Sequence, residues 1–379
     1  MYLDCAIFEN FRNIQHEPLS FTPGINILYG DNAQGKTNVI EGIYYFGSGK
    51  SFRHARDKDM IMADKNHAQV SIAYVDAQRE NKMAYRIFRD LHKEMFKNGI
   101  KIGKVSNFIG NFKAVLFCPE HLSIVKDEPS ERRNFLDNAI SQFNRPYLAA
   151  LMEHKKLLEQ RNALLKNYEK NRASFDLTAE VISDKLAEAA AYITQVRAKY
   201  LVRLFETAGR FLSDMTGGRE QLSFVYLSHV TTGENESLFD YQTNLEKYKK
   251  LMCEHLSRET LIGTTVSGAH RDDFEIRLGG MNAKIFASQG QQRSIALAMK
   301  LAEGEISREE SGEYPAFLLD DVLSELDRKR KNYILSELSG RQVLITTCDE
   351  SDFAGIEGAN MIRVSAGHYE KLESYFAFS

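Results

Sequence analysis

The most informative stretch of the sequence is Gly30-Asp31-Asn32-Ala33-Gln34-Gly35-Lys36-Thr37. Four residues separate its two glycines, and a lysine and a threonine follow the second, which is the spacing of a phosphate-binding loop. The glycines let the backbone curl so that several N–H groups point at a polyphosphate. Lys36 is expected to reach the β- and γ-phosphates, and Thr37 to place its hydroxyl on Mg²⁺. The whole loop, Gly30 to Thr37, is therefore predicted to bind a nucleoside triphosphate.

The residues on either side of this loop support the interpretation. A short β-prone segment, Ile25 to Tyr29, precedes it, and apolar residues at helical spacing follow between Asn38 and Phe46. Strand, loop and helix in this order are what a phosphate-binding loop requires. A glycine-rich turn that binds nothing is the alternative, and these flanking patterns argue against it.

Bulk properties limit the class of protein. A chain of 379 residues suggests two or three structural units, and 43% hydrophobic content is ordinary for a folded protein. The net charge of -3 gives no global basic signature, so a nucleic-acid partner would need a local basic patch. The four cysteines are far apart in sequence and predict no metal site. No secretory signal or apolar run of roughly 20 residues is visible, which predicts a cytoplasmic protein without a membrane partner.

Hydrophobic periodicity predicts the domain organisation. Alternating strand patterns dominate residues 1–130, a mostly helical arm occupies 131–258, and strand character returns over 259–379. Within the arm, helical patterns from about 146 to 172 and from about 178 to 216 are separated by a break at 174–176. The sequence thus predicts an α/β protein with an inserted arm that contains a long helical hairpin.

A second catalytic element is predicted at Ala316 to Asp321, an apolar strand that ends in two acids. In nucleotide hydrolases such a strand delivers carboxylates to the metal ion. Asp320 is expected to hold Mg²⁺ through water, and Asp321 to orient or deprotonate the attacking water. Together with Lys36, Asp321 is the predicted catalytic group. A strand that merely ends in a polar turn is the alternative, which the phosphate-binding loop in the same chain disfavours.

A second anion site is predicted at Ser288-Gln289-Gly290-Gln291-Gln292, where a helix begins. One chain has a single γ-phosphate to bind, and the loop at Gly30 to Thr37 already holds it. The cradle formed by Ser288, Gly290 and Gln291 is therefore expected to contact the nucleotide of a second copy. This predicts a two-fold dimer with two nucleotides between its subunits.

Several polar residues leave more than one interpretation open. Arg12 and Asn13 belong either to a turn or to a loop that approaches the nucleotide. Basic residues in three regions could contact DNA phosphates or could be ordinary solvated surface. The DNA-binding candidates are Lys50, Arg53, Arg56, Arg132, Arg133 and the cluster Arg328 to Lys331. Arg132 and Arg133 could instead brace the helical hairpin.

The order of these motifs resembles the ABC-type ATPase heads of the SMC group, and within that group the RecF family. The resemblance covers nearly the whole chain, and the lack of a long coiled coil separates it from other SMC-like heads. It implies a P-loop ATPase head with mixed and antiparallel sheets and an inserted helical arm domain. The stretches that carry it are Asn10 to Asn13, Gly30 to Thr37, Phe117 to Leu122, Arg132 to Asp137, Ser267 to Asp273, Ser288 to Gln292 and Asp320 to Asp327.

The resemblance also implies function. RecF-like proteins bind single-stranded, duplex or gapped DNA and dimerise when they bind ATP with Mg²⁺. Their ATPase activity is weak, DNA-stimulated and switch-like. With RecR and RecO they help load RecA at single-strand gaps during DNA replication, recombination, repair and the SOS response. These activities are expectations for this chain.

Two positions depart from typical ABC heads. Asp321 stands where glutamate is common, which fits slow hydrolysis because the side chain is one methylene shorter. No histidine follows the strand at Val343, so the hydroxyl of Thr346 or Thr347 would have to replace it at the γ-phosphate. A transporter-type nucleotide-binding subunit and another SMC-like head are the alternatives. The signature at Ser288 and the missing histidine weigh against the transporter.

Overall fold

The computed structural model describes residues 1–90, 92–168, 172–230, 238–349, 356 and 358–371. Its strands are β1 (Tyr2–Phe11), β2 (Ile14–Ser20), β3 (Ile25–Tyr29), β4 (His67–Val75), β5 (Glu80–Phe88), β6 (Lys93–Lys97), β7 (Ile100–Ile102), β8 (Ala114–Phe117), β9 (Leu222–Leu227), β10 (Asp273–Leu278), β11 (Met281–Asn282), β12 (Ala316–Asp320), β13 (Val343–Thr347), β14 (Asn360–Ser365) and β15 (His368–Lys371).

The helices lie between groups of these strands in the chain. They are α1 (Lys36–Ser48), α2 (Val105–Phe108), α3 (Pro129–Ser141), α4 (Arg145–Lys166), α5 (Arg172–Thr216), α6 (Tyr241–Glu254), α7 (Leu256–Ile262), α8 (Ala283–Phe286), α9 (Gln289–Ser311) and α10 (Arg328–Glu337). None of the helices in the described ranges is long and apolar enough to cross a membrane.

The chain divides into two compact units. The first contains Met1–Ser123 and Arg293–Ser379, and the second contains Ile124–Gln292. Residues 259–292 fall in the second unit because β10 pairs with β9 along its whole length, from Asp273 opposite Leu227 to Leu278 opposite Leu222. The domain limits expected at 130/131 and 258/259 stay predictions. The boundaries between the two compact units lie at 123/124 and 292/293.

The first unit contains one mixed and one antiparallel sheet among its described residues. The mixed sheet has the order β15-β14-β3-β13-β12-β8, and the antiparallel sheet has the order β2-β1-β4-β5-β6-β7. Strands β14, β3, β13, β12 and β8 run parallel to one another, and the edge strand β15 pairs antiparallel with β14. β12 and β13 are buried along their full length, as expected for parallel strands covered on both faces. The predicted α/β class with mixed and antiparallel sheets is confirmed.

Helix α1 lies in the core of this unit. Its Val39, Ile40 and Ile43 are fully buried and belong to one cluster with residues of both sheets. A Cβ atom at Gly42 would lie 2.5 Å from the ring of Phe8, so only glycine permits this close packing. The core therefore fixes α1, and with it the loop that opens the helix.

The second unit contains the helical hairpin. α4 ends at Lys166 and α5 begins at Arg172, so the break predicted at 174–176 is wrong: the backbone there is already helical. α5 packs against α4, α6 and β9. Two ion pairs lie inside this unit: Arg161 pairs with the fully buried Glu259, and Arg197 pairs with Asp137.

Candidate nucleotide-binding site

The loop from Gly30 to Thr37 connects β3 to α1, as the sequence predicts. Gly30 and Gly35 have φ angles of +149° and +118°, which residues with a Cβ atom rarely adopt. A Cβ at Gly30 would lie 2.3 Å from the carbonyl oxygen of Val364, and one at Gly35 would lie 2.9 Å from Oδ1 of Asn13. Both glycines are therefore required by close approach as well as by backbone angle.

Lys36 spans the loop from the first turn of α1. Its Nζ donates to the carbonyl oxygens of Gly30 at 2.6 Å and Asp31 at 2.7 Å, although the side chain is buried. The ammonium group thus lies across the concave side of the loop. A cation in this place can follow the phosphates of a bound nucleotide as a point charge.

Asp320 connects the end of β12 to the loop. Its Oδ1 accepts hydrogen bonds from the hydroxyls of Thr37 at 2.9 Å and Thr346 at 2.6 Å. β13 lies between β3 and β12, and Asp320 pairs with Thr346 in register. Burial raises the pKa of Asp320, and the two hydroxyl bonds oppose that shift. A buried carboxylate beside a threonine hydroxyl is an oxygen-rich set that suits Mg²⁺.

Asp321 follows directly and has an unusual backbone. Its φ angle is +50°, and its N–H lies 3.0 Å from Oγ1 and 3.2 Å from the carbonyl oxygen of Thr346. Thr346 therefore contacts both acids, whereas the hydroxyl of Thr347 bonds with the backbone of Asp349. Of the two candidates for the missing histidine, Thr346 is the one at the site. That replacement stays a prediction.

These groups surround one cavity of about 360 Å³. Its lining combines the loop and α1 start, Asn32 to Asn38, with Asn13, Arg53, Asp321 and Thr346. The lining thus includes most of the glycine-containing loop, the buried Lys36 and one acid, Asp321. A glycine-lined cradle with a cation suits a triphosphate, and the hydroxyl–carboxylate pair suits its metal ion.

The structure separates the two residues of the Arg12-Asn13 pair. Asn13 lines the cavity, donates to the carbonyl oxygen of Gln34 at 3.1 Å and accepts from Asn38 at 2.7 Å. Arg12 instead forms two hydrogen bonds of 2.9 and 2.7 Å with the fully buried carboxylate of Glu41. Asn13 therefore supports the loop directly, while Arg12 acts on it through α1. Their predicted contacts with nucleotide stay predictions.

The basic loop after α1 contributes one residue to the cavity. Arg53 lines it, with Nη1 at 3.3 Å from Oδ1 of Asn38 and 4.0 Å from Oε2 of Glu41. Lys50 and Arg56 are exposed and do not belong to the cavity lining. Sequence reasoning grouped the three as DNA-binding candidates, and only the folded chain distinguishes Arg53 from the others.

The second unit holds the start of α9. The backbone N–H of Ser288 donates to Oε1 of Gln291 at 2.7 Å, and the N–H of Gln291 donates back to Oγ of Ser288 at 3.3 Å. This is a reciprocal helix cap. Ser288 is exposed and Gly290 is half-buried, so the helix start remains accessible to an anion.

Arg132 and Arg133 are engaged inside the second unit. Arg132 is 6% exposed and forms two hydrogen bonds of 2.7 Å with the carboxylate of Asp273. Arg133 donates to the carbonyl oxygen of Asp272 at 2.8 Å. Both arginines thus bond residues at the start of β10, and their roles in bracing the hairpin or in contacting DNA stay predictions. In the other basic cluster, Arg330 pairs with Asp327, while Arg328 and Lys329 are exposed.

The fold and the site define an SMC-type P-loop head. The family model RecF/RecN/SMC N terminal domain matches residues 2–371, and the chain belongs to this family, on its RecF branch. The DNA replication and repair protein RecF of Clostridium acetobutylicum is 40% identical over 346 residues, which cover 91% of this chain and 92% of that protein. The resemblance inferred from the sequence is confirmed.

Solved structures agree. The recombination mediator protein RecF-ATPrS in the RecFOR pathway has a TM-score of 0.91 at 36% identity, covering 98% of both chains. An Smc head domain from Pyrococcus furiosus, bound to the C-terminal domain of ScpA, has a TM-score of 0.56 at 16% identity and covers 98% of this chain. The second likeness concerns the fold alone.

Proposed function

We propose that the chain is an ATP-dependent DNA-binding recombination mediator of the RecF type, located in the cytoplasm. The observation that carries the proposal is the hydrogen bond between Thr37 and Asp320. It joins the phosphate-binding loop to the acidic end of β12 across 283 residues of sequence and places both at one cavity. Relatives named for DNA replication and repair support the biological role.

The loop residues would bind ATP through their backbone N–H groups and Lys36. Thr37 and Asp320 would hold Mg²⁺, which would neutralise charge on the phosphates. Burial raises the pKa of Asp320, and a cation at this place would favour the charged carboxylate.

Asp321 would orient the attacking water and accept its proton. Its backbone N–H is fixed by Thr346, which holds the carboxylate at the cavity independently of the nucleotide. The short aspartate side chain supports a slow, switch-like ATPase that DNA would stimulate. ATP binding would then set the state of the protein, and hydrolysis would reset it.

Dimerisation would follow from the second anion site. The exposed start of α9, with Ser288 and Gly290, would contact the γ-phosphate on the loop of a second copy. Lys50, Arg53, Arg56, Arg328 and Lys329 are the exposed candidates for DNA phosphates. Through RecR, and with RecO, the dimer would help load RecA at single-strand gaps or junctions.

Lys36→Arg tests the nucleotide site. We expect ATP binding to be largely kept while steady-state hydrolysis and dimer turnover fall, because the guanidinium cannot follow the transferred phosphate as a compact charge. Phosphate release and binding of a fluorescent ATP analogue measure the two steps. Hydrolysis at the parental rate would refute the role of Lys36.

Ser288→Arg tests the dimer. Bulk and charge at the cradle should abolish ATP-dependent dimerisation while ATP binding to the monomer persists. Ser257→Arg, at an exposed position of α7, is the matched control and should dimerise normally. A normal ATP-dependent dimer of Ser288→Arg in analytical ultracentrifugation would contradict the assignment.

A further inference from the structure

Glu220 lies in the short link between α5 and β9. Gly217 and Gly218, with φ angles of +72° and +76°, end α5 in the left-handed conformation that favours glycine. One residue after Glu220, the carbonyl oxygen of Gln221 accepts from the N–H of Gly279 at 2.8 Å. The link is therefore held between the end of a 45-residue helix and the turn that follows β10.

The carboxylate of Glu220 holds the side chain of Gln291. Oε1 of Glu220 accepts from Nε2 of Gln291 at 2.8 Å, while Oε1 of Gln291 accepts from the N–H of Ser288 at 2.7 Å. The amide of Gln291 thus lies between an obligatory acceptor and an obligatory donor. Turning it over would place Nε2 against a backbone N–H, so Glu220 fixes its orientation.

This orientation determines what Ser288 presents. Its N–H is occupied by Gln291 and its Oγ accepts from the N–H of Gln291 at 3.3 Å. Within the described residues the Ser288 hydroxyl donates to no acceptor, and the side chain is exposed. An aligned hydroxyl donor at the start of α9 is what a phosphate oxygen requires.

The charge of Glu220 does not serve the anion site by itself. A carboxylate next to a phosphate cradle repels the ligand. Its Oε2 is also buried and accepts no hydrogen bond within the described part of the chain, which adds a desolvation cost. A carboxylate at this position is therefore explained by the hydrogen bond that it accepts from Gln291, and its charge does not explain it.

We infer that Glu220 is a positioning residue that orients Gln291 and thereby the Ser288 cradle, and that it ties this cradle to the end of α5. The inference rests on the proposed ATP-dependent dimer. It adds a residue 71 positions from Gln291 in sequence and a mechanical connection from the helical hairpin to the dimer site.

Three substitutions distinguish positioning from charge. Glu220→Gln keeps an acceptor for Nε2 and should dimerise like the parent protein. Glu220→Ala loses the acceptor and should weaken ATP-dependent dimerisation roughly tenfold or more. Glu220→Lys presents a donor to Nε2 and should weaken it further. If only charge mattered, Gln and Ala would behave alike, and Lys would strengthen dimerisation by attracting the phosphate.

Sedimentation with and without ATP and Mg²⁺ measures the dimer, and a fluorescent ATP analogue at low protein concentration measures binding to the monomer, which should not change. Glu206→Lys, an exposed charge reversal on α5, is the control, and thermal unfolding checks the fold. If the parent protein forms no ATP-dependent dimer, the proposed function fails. If it does, and Glu220→Ala dimerises equally or Glu220→Gln fails alongside it, only the role of Glu220 is overturned.

Discussion

The chain contains an Asp-Asp pair in each of its two units, and the pairs have different surroundings. Asp320-Asp321 lies at the carboxyl end of parallel strand β12, and Asp321 lines the cavity of the phosphate-binding loop. Asp272-Asp273 lies at the start of β10, an antiparallel strand. Both Asp320 and Asp272 are buried and accept hydrogen bonds from hydroxyl groups. From the sequence alone, either Asp-Asp pair could be assigned to a functional site.

Asp272 is enclosed by its own unit. Its Oδ2 accepts from the hydroxyls of Thr194 and Tyr226, each at 2.9 Å, and burial raises its pKa against the opposing effect of Arg197. Asp273 is paired with Arg132. All these partners come from the fold itself, so the second pair stabilises architecture.

The difference shows that strand direction decides the use of an acidic pair. At the carboxyl end of a parallel strand, the side chains meet the crevice where ligands bind in α/β sheets. At the start of an antiparallel strand packed against helices, the same residues meet other side chains. Substitutions in the two pairs should therefore act on different observables.

The largest effect is expected for Asp320→Asn. Loss of the carboxylate that we propose to hold Mg²⁺ should lower the steady-state ATPase rate roughly 10³-fold. Stability without nucleotide should stay equal or rise, because the variant removes a buried charge. Phosphate release and thermal unfolding provide the two measurements. A clear loss of stability with retained hydrolysis would make Asp320 a structural residue like Asp272.

Asp272→Ala should show the opposite pattern. Removing the shared acceptor leaves buried hydroxyls without it, and the free energy of unfolding should fall by about 3 kcal/mol. Urea denaturation measures this, and Asp214→Ala at an exposed position of α5 should change it by less than about 0.5 kcal/mol. Equal stability of the two variants would contradict the enclosed role of Asp272.

Arg132→Ala extends the test to the partner of Asp273. It leaves a carboxylate that is 16% exposed without its ion pair, so a loss of about 3 kcal/mol in unfolding free energy is expected. DNA affinity of the folded variant should hardly change. A weaker DNA complex with intact stability would return Arg132 to the DNA-binding candidates.

The second unit should also respond to acid through His154. Burial, followed by the nearby charges of His270 and Arg197, lowers the pKa of His154 to about 3. The unfolded chain binds a proton near pH 6.5 that the folded chain does not, so stability falls as pH drops below about 6.5. The slope is at most about 1.4 kcal/mol per pH unit. Denaturation measured from pH 7 to pH 4 should show a smaller slope of stability against pH for His154→Gln than for the parent protein. An unchanged slope would exclude His154 as a source of this pH dependence.

The smallest effect on stability is expected for the exposed cations. Lys50→Ala and Arg56→Ala should each change the unfolding free energy by less than about 0.5 kcal/mol. If they contact DNA phosphates, each should flatten the dependence of affinity on salt. DNA-binding titrations at several salt concentrations measure this. A parental slope in both variants would exclude the two residues as DNA contacts.

Sequence spacing predicts what depends on neighbours in the chain. The loop at Gly30 to Thr37 and the acidic end of β12 are encoded within a few residues, and the structure has both where they were expected. Contacts between distant residues were not predictable. Arg132 meets Asp273 across 141 positions and Gln291 meets Glu220 across 71. No local sequence pattern distinguishes an arginine in an internal ion pair from an arginine that contacts DNA. Likewise, no local pattern identifies Glu220 as the partner of Gln291.

The left-handed backbone conformation at Asp321 is a second physical reason for an aspartate at this position. Aspartate and asparagine occupy positive φ more readily than most other residues that have a Cβ. Its presence in place of glutamate therefore has a conformational reason besides the shorter reach of its carboxylate. Asp321→Glu would combine a longer side chain with backbone strain of about 1 kcal/mol, so its rate would report both. Asp321→Asn keeps the backbone preference and isolates the carboxylate, which makes it the variant from which the chemistry of this position can be measured.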